Sequence, residues 1–163
     1  MEKDPSTPVY NPQNNTTTFF DKNCKISLEI PNKYNLKQFK TSQDYLLELR
    51  SESNLSVFIS SKDKIPNKHL KNVVFADKEV FTKNFFTVSN VSDVKELNIN
   101  ESTHYFYNFN YIDENLNQSF YIQIVWIETN DNYYVFDIEF PLDNLNNYPD
   151  VTNDIINNFQ ILN

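Results

Sequence analysis

The chain contains no glycine in 163 residues. Any turn that needs a positive φ must therefore be made by a residue with a Cβ. Asn and Asp carry the lowest cost there after glycine. Asn is abundant, so turns are expected at Asn, with Asn54 the left-handed residue of a turn over Ser51–Asn54. The same absence excludes a Gly-rich phosphate loop, a GxGxxG dinucleotide turn and a GxSxG nucleophile elbow.

The length suits one domain with a substantial core. Aromatic residues make up 15% of the chain, a content that disordered segments lack. The net charge of −8 and pI of about 4.7 disfavour nucleic acid and anionic membrane surfaces, which need basic patches. No run of about 20 apolar residues is present to span a membrane. Met1–Pro5 is too polar for a secretory leader. A leader removed upstream would place the domain outside the cytoplasm, on a cell surface. A native start at Met1 would place it in the cytoplasm. A monomer is expected.

Residues 1–18, with Pro5, Pro8 and Pro12, read as a flexible lead, and residues 19–163 as a single α+β domain. Alternation of apolar and polar residues predicts strands over Lys25–Ile30, Tyr45–Arg50 and Leu55–Ser60, the last two forming a hairpin. A helix is predicted over Asp77–Phe86, capped by Asp77, with Pro66 able to begin an earlier turn. A short strand follows over Asp93–Ile99. Three long strands, His104–Ile112, Ser119–Ile127 and Tyr133–Phe140, read as an antiparallel meander. A last helix spans Val151–Phe159, and Ile161–Leu162 close the domain as an edge strand.

The middle strand of the meander is apolar on both faces. Phe120, Ile122, Ile124 and Trp126 fill one, and Tyr121, Val125 and Ile127 most of the other. Both faces of the sheet must then be covered, by helices on each side or by a second sheet.

Candidate chemistry is sparse. The lone Cys24 permits no intrachain disulfide, and its charged neighbours neither form a lipidation box nor supply a base. One Cys with the distant His69 and His104 cannot make a zinc site, and no acidic run has a calcium-loop register. Asp137 and Glu139 alternate on one strand face and could act as paired carboxylates, but read more simply as a solvated or helix-rim face. His104 reads as an exposed or rim residue. Tyr105, Tyr107, Phe109 and Tyr111 could floor a groove but read as core. The sequons at Asn90 and Asn100 are expected by chance at this Asn content. The reading therefore assigns no catalytic residue, metal site or cofactor, and leaves the binding residues unknown.

The opening Ile26-Ser27-Leu28-Glu29-Ile30-Pro31, the hairpin over Tyr45–Ser60, the long antiparallel strands and a final helix running into Phe159-Gln160-Ile161 together resemble the Mog1/PsbP-like fold, including DcrB-like bacterial proteins. The resemblance covers roughly residues 19–163. It implies an antiparallel sheet of about six to seven strands covered by helices on both faces. It also implies a non-enzymatic binding or accessory role: such proteins include photosystem II accessories, a small-GTPase partner, chaperone-like adaptors and bacterial lipoproteins. The absence of Gly departs from that pattern, and no functional residue carries over. The alternatives are an intracellular adaptor, a small-ligand carrier with aromatic strands around a cavity, and an unconventional hydrolase combining His104 with Asp137 and Glu139.

Overall fold

The computed structural model describes residues 3–40, 42, 44–85 and 87–162. Among these lie twelve strands in two antiparallel sheets, two α-helices and two 3-10 turns. The strands are β1 (Val9–Asn11), β2 (Thr16–Phe20), β3 (Ile26–Pro31), β4 (Lys37–Gln38), β5 (Leu47–Arg50), β6 (Ser56–Asp63), β7 (Val88–Ser89), β8 (Lys95–Ile99), β9 (Ser102–Asp113), β10 (Gln118–Glu128), β11 (Asn132–Pro141) and β12 (Phe159–Ile161). The helices are α1 (Leu70–Lys83) and α2 (Val151–Ile156).

The larger sheet has the order β4-β5-β6-β11-β10-β9-β7, with β8 beside β7 along the outer edge of β9. Its centre is the expected meander. Trp126 lies opposite Tyr105 on β9 and Val135 on β11, and Ile124 opposite Tyr107 and Asp137. The β5–β6 hairpin joins through β6, with Phe58 opposite Asp137. Its turn uses Asn54 at φ 64°, as expected. Among the described residues, seven of the nine at positive φ are Asn; the others are Cys24 and Glu101.

The two faces of β10 are covered differently. Leu70, Val73 and Val74 of α1 close over Tyr105, Tyr107, Phe109, Ile122, Ile124 and Trp126. On the reverse face, Val125, Ile127, Phe136 and Ile138 pack against Phe19, Ile26, Leu28 and Ile30 of the smaller sheet and Val151, Ile155 and Ile156 of α2. That sheet has the order β1-β2-β3-β12. The expectation of helices on both faces is therefore corrected: one cover is mainly a sheet. Ile26, Leu28 and Ile30 are each at most 1% exposed. A strand with that buried row satisfies its backbone by pairing, and β2 and β12 supply the partners.

Three further expectations change. The flexible lead over residues 1–18 contains β1 and most of β2, because Thr16 and Phe19 are buried against β3 and its neighbours. Helix α1 begins at Leu70, not Asp77. His69 caps it, Nδ1 accepting from the Lys71 N–H at 3.1 Å, and Leu70, Val73 and Val74 extend the apolar stripe toward the N-terminus. Its expected end at Phe86 lies outside the described residues. Helix α2 stops at Ile156 because Phe159 leaves it for β12, pairs with Leu28, and sets its ring 5.1 Å from that of Phe136.

Candidate functional site

Helix α1 covers the larger sheet over β9, β10 and the start of β11. Beside it a cavity of about 320 Å³ remains, floored by Ile124, Val135 and Asp137. Asp77 and Phe81 of α1 form one wall, and Asp44, Tyr45 and Phe58 the opposite one. Ser60 and Lys62 stand toward the rim. Period-two alternation along β11 turns Val135, Asp137 and Glu139 to this face, while Phe136, Ile138 and Phe140 face the other core.

Asp77 occupies the core-facing stripe of α1, seven residues after Leu70. Its Oδ2 accepts from the Tyr107 hydroxyl at 2.7 Å and from the Trp126 indole N–H at 3.2 Å. The carboxylate thus ties helix to sheet instead of capping the helix. Burial, then the nearby Asp77 charge, raises the Tyr107 hydroxyl above its ordinary range, so it stays a donor.

Asp137 and Glu139 are half-buried, not on the solvated face the sequence suggests. They sit opposite Ile124 and Ile122 on β10. Glu139 accepts from the Tyr111 hydroxyl at 3.2 Å. Asp137 Oδ1 exposes less than 1 Å² and has no hydrogen-bond partner among the described residues. Burial, then the charge of Glu139 beside it, pushes the Asp137 carboxyl well above the ordinary carboxylate range. Burial also raises Glu139, opposed by its hydrogen bonds from Asp137 and Tyr111 and by the charge of Arg50. Two carboxyls in such contact are best accommodated by sharing a proton.

His104 is buried, 6% exposed, not a rim residue. It alternates with Tyr105 and lies on the face opposite Asp137 and Glu139. Its Nδ1 accepts from the Glu128 N–H at 3.3 Å, and burial lowers its pKa. The three groups of the hydrolase alternative therefore do not converge. Tyr105, Tyr107 and Phe109 are core beneath α1 and do not line the cavity. Cys24 is half-buried in the β2–β3 turn. There Asp21 is the organising residue: its carboxylate accepts from the N–H groups of Asn23, Lys25 and Ile26. Among the described residues no group of three or more His, Cys, Asp and Glu side chains is arranged to hold a metal ion. No described helix is long and apolar enough to cross a membrane.

No family model and no curated protein matches the sequence. Solved structures do match. The cyanobacterial PsbP, CyanoP, from Synechocystis sp. PCC 6803 superposes with a TM-score of 0.63 at 9% identity, over 91% of this chain and 94% of that one. LpqN of Mycobacterium tuberculosis gives 0.55 at 14% identity, over 96% and 90%. A point variant of Mog1 gives 0.50 at 14% identity, over 96% of each chain. The chain has the Mog1/PsbP fold.

At such identities the likeness carries the architecture and no site residue. Within this instance of the Mog1/PsbP fold, the cavity is defined by the chain's own side chains. Its signal in the sequence was a pair of carboxylates at positions whose cross-strand neighbours, Ile122 and Ile124, belong to a strand buried on both faces. Asp77 could have been found as the one carboxylate on the stripe Leu70, Val73, Val74, Phe81.

Proposed function

We propose that this chain is a non-enzymatic binding or accessory domain, and that the cavity between α1 and the β5–β6 hairpin is where its ligand or partner makes contact. The observation that carries this reading is the cavity itself: about 320 Å³, with the carboxyl groups of Asp44, Asp77 and Asp137 set among the rings of Tyr45, Phe58 and Phe81. Carboxyl groups held in a partly enclosed cavity cost stability and are retained where something outside the chain meets them. The supporting chemistry is one of binding, since His104 lies on the face opposite the cavity.

The fold neighbours support an accessory role. LpqN is described as involved in cell envelope biogenesis, and CyanoP is a cyanobacterial PsbP. Display on a cell surface as a lipoprotein-like domain is part of the proposal. With β1 beginning at Val9, the tether it requires lies before that residue.

Amide chemical-shift mapping of the full chain against a small-fragment library tests the assignment. Shifts confined to Phe58, Ser60, Asp77, Phe81 and Asp137 are expected. Reproducible binders that cluster elsewhere, or turnover of a generic ester or phosphate substrate, would contradict it.

A further inference from the structure

We infer that a second cavity, between β10 and the segment leading into α2, binds a neutral sugar ring against Tyr121 and Tyr148, hydrogen-bonded by Gln123 and Asn153. It lies on the face of the larger sheet opposite the cavity beside α1, and the inference does not rest on the reading above.

Alternation along β10 turns Tyr121 and Gln123 to the same face as Val125 and Ile127. The smaller sheet and α2 cover that face, and the cavity lies at the margin of the cover. Its far wall is Leu145 in the 3-10 turn Leu142–Asn147, then Tyr148 and Pro149, then Val151 and Thr152 of α2. About 310 Å³ remains between wall and floor, bounded by Phe106 of β9 and Leu97 of β8.

The lining decides the kind of guest. No charged side chain lines this cavity among the described residues. An ion entering it would lose hydration and gain no countercharge. Burial alone raises the Tyr121 hydroxyl, whereas neighbouring carboxylates add to the rise at Tyr34, Tyr107 and Tyr111. That hydroxyl bonds to no described residue. Gln123 Oε1 accepts from the Thr152 hydroxyl, which fixes the amide, and Nε2 donates to no described residue. Neither free atom is shielded: among the described residues, Asp137 Oδ1 is the one shielded side-chain polar atom without a partner. Both therefore stay accessible. A hydrocarbon guest would cover them and replace none of their hydrogen bonds to water.

A pyranose ring meets each demand. It is uncharged, it sets C–H groups against aromatic faces, and its hydroxyls both donate and accept. The Tyr121 and Tyr148 rings each lie 5.2 Å from that of Phe140. Gln123, Thr152 and Asn153 supply donors and acceptors together. The volume is at the small end of ligand pockets and suits one ring. Beyond the cavity the same sheet face continues with Asn108 and Asn110, half-buried opposite Gln123 and Tyr121. The ring is therefore either a free sugar or the end of a glycan lying along those amides.

The isotope-labelled full chain is titrated with methyl glycosides of glucose, galactose, mannose and N-acetylglucosamine, followed by amide shifts. The comparisons are cyclohexanol and the uronate and amino-sugar analogues of the best binder. Saturable shifts at Leu97, Gln123, Thr152 and Asn153 are expected with at least one glycoside, all comparisons being at least about tenfold weaker. Tyr121→Phe keeps the ring and removes a hydroxyl that nothing in the chain uses. It should weaken the sugar at least about fivefold and leave the urea midpoint unchanged. Gln123→Leu should weaken it at least about tenfold with an unchanged fold by circular dichroism. Tighter binding of a trisaccharide ending in the same ring assigns the site to glycans; equal or weaker binding assigns it to free sugars. No saturable shift there from any glycoside at about 50 mM overturns the inference. So does equal affinity for cyclohexanol or the charged analogues, or undiminished binding by Tyr121→Phe. Sugar shifts here and fragment shifts beside α1 fall on opposite faces of the sheet, so either reading can fail without the other.

Discussion

At Cys24 the backbone enters the left-handed region, with φ 52°, where the other such positions described, Glu101 apart, are Asn. A residue with a Cβ and no local hydrogen-bonding side chain is strained there by about 1 kcal/mol. Cys24→Asn should therefore raise the urea midpoint by roughly that stability. An unchanged or lowered midpoint would show that the half-buried thiol packs better than the turn suffers. The turn chemistry was legible because the lack of glycine leaves few alternatives. Asp137 was not legible. Along β11 the polar residues fall on one face, and such alternation ordinarily means solvent. Only the pairing with β10, which sets Asp137 against Ile124, turns that face inward. The groups around Asp137 are Glu139 on its own strand, Asp77 of α1, Tyr107 and Tyr111 of β9, Lys62 of β6, Arg50 of β5, and Asp44 and Tyr45 before β5. Because burial raises the Asp137 carboxyl in the folded state, its favourable contribution is complete below the unfolded carboxylate value, about pH 4, and is lost as pH rises through the raised value. Carboxyl-carbon NMR should show Asp137 still protonated above the pH at which a free aspartate ionises. Titration of Asp137 at the free-aspartate value would contradict the shared proton.

Helix α1 is joined to the sheet by an apolar stripe and one carboxylate. Asp77→Leu should leave the Tyr107 hydroxyl and the Trp126 N–H without their acceptor, costing about 2 kcal/mol by chemical denaturation and shifting Trp126 emission. A stability gain would mean that the added apolar contact outweighs both bonds. The long strands β9, β10 and β11 were readable because each keeps one period over ten or more residues. The short strands β4 and β7, with two residues each, carry no period to read. Strands β1 and β2 were hidden by the Pro, Asn and Thr around them, although Phe19 was available as a core residue. Deleting residues up to Thr18 should expose one edge of β3 and speed hydrogen exchange at its amides, measurable by mass spectrometry. Unchanged protection would restore the picture of a passive lead.

On the scale of the whole molecule, one large sheet carries two unequal covers. The smaller sheet and α2 seal one face with Ile, Leu and Val. On the other, α1 seals β9, β10 and the start of β11, and the remainder holds carboxyl groups where the opposite face holds apolar side chains. The fold resemblance anticipated a sheet covered on both sides, and β10 alone already required that. The sequence did not reveal that one cover would be a second sheet, because pairing among β2, β3 and β12 joins segments from both ends of the chain. A fold that needed the acidic patch for stability alone would have filled it with hydrocarbon; polar groups retained against stability mark places kept for another purpose. The most direct test is the unfolding free energy of Asp137→Asn against the parent chain at neutral and at acidic pH. The amide keeps the shape, removes a charge that is unfavourable when buried, and offers Glu139 an N–H. A gain in stability at neutral pH that shrinks toward about pH 4 is the expected result. A loss at neutral pH would mean that Asp137 is a structural residue and that the cavity is not held open for a ligand.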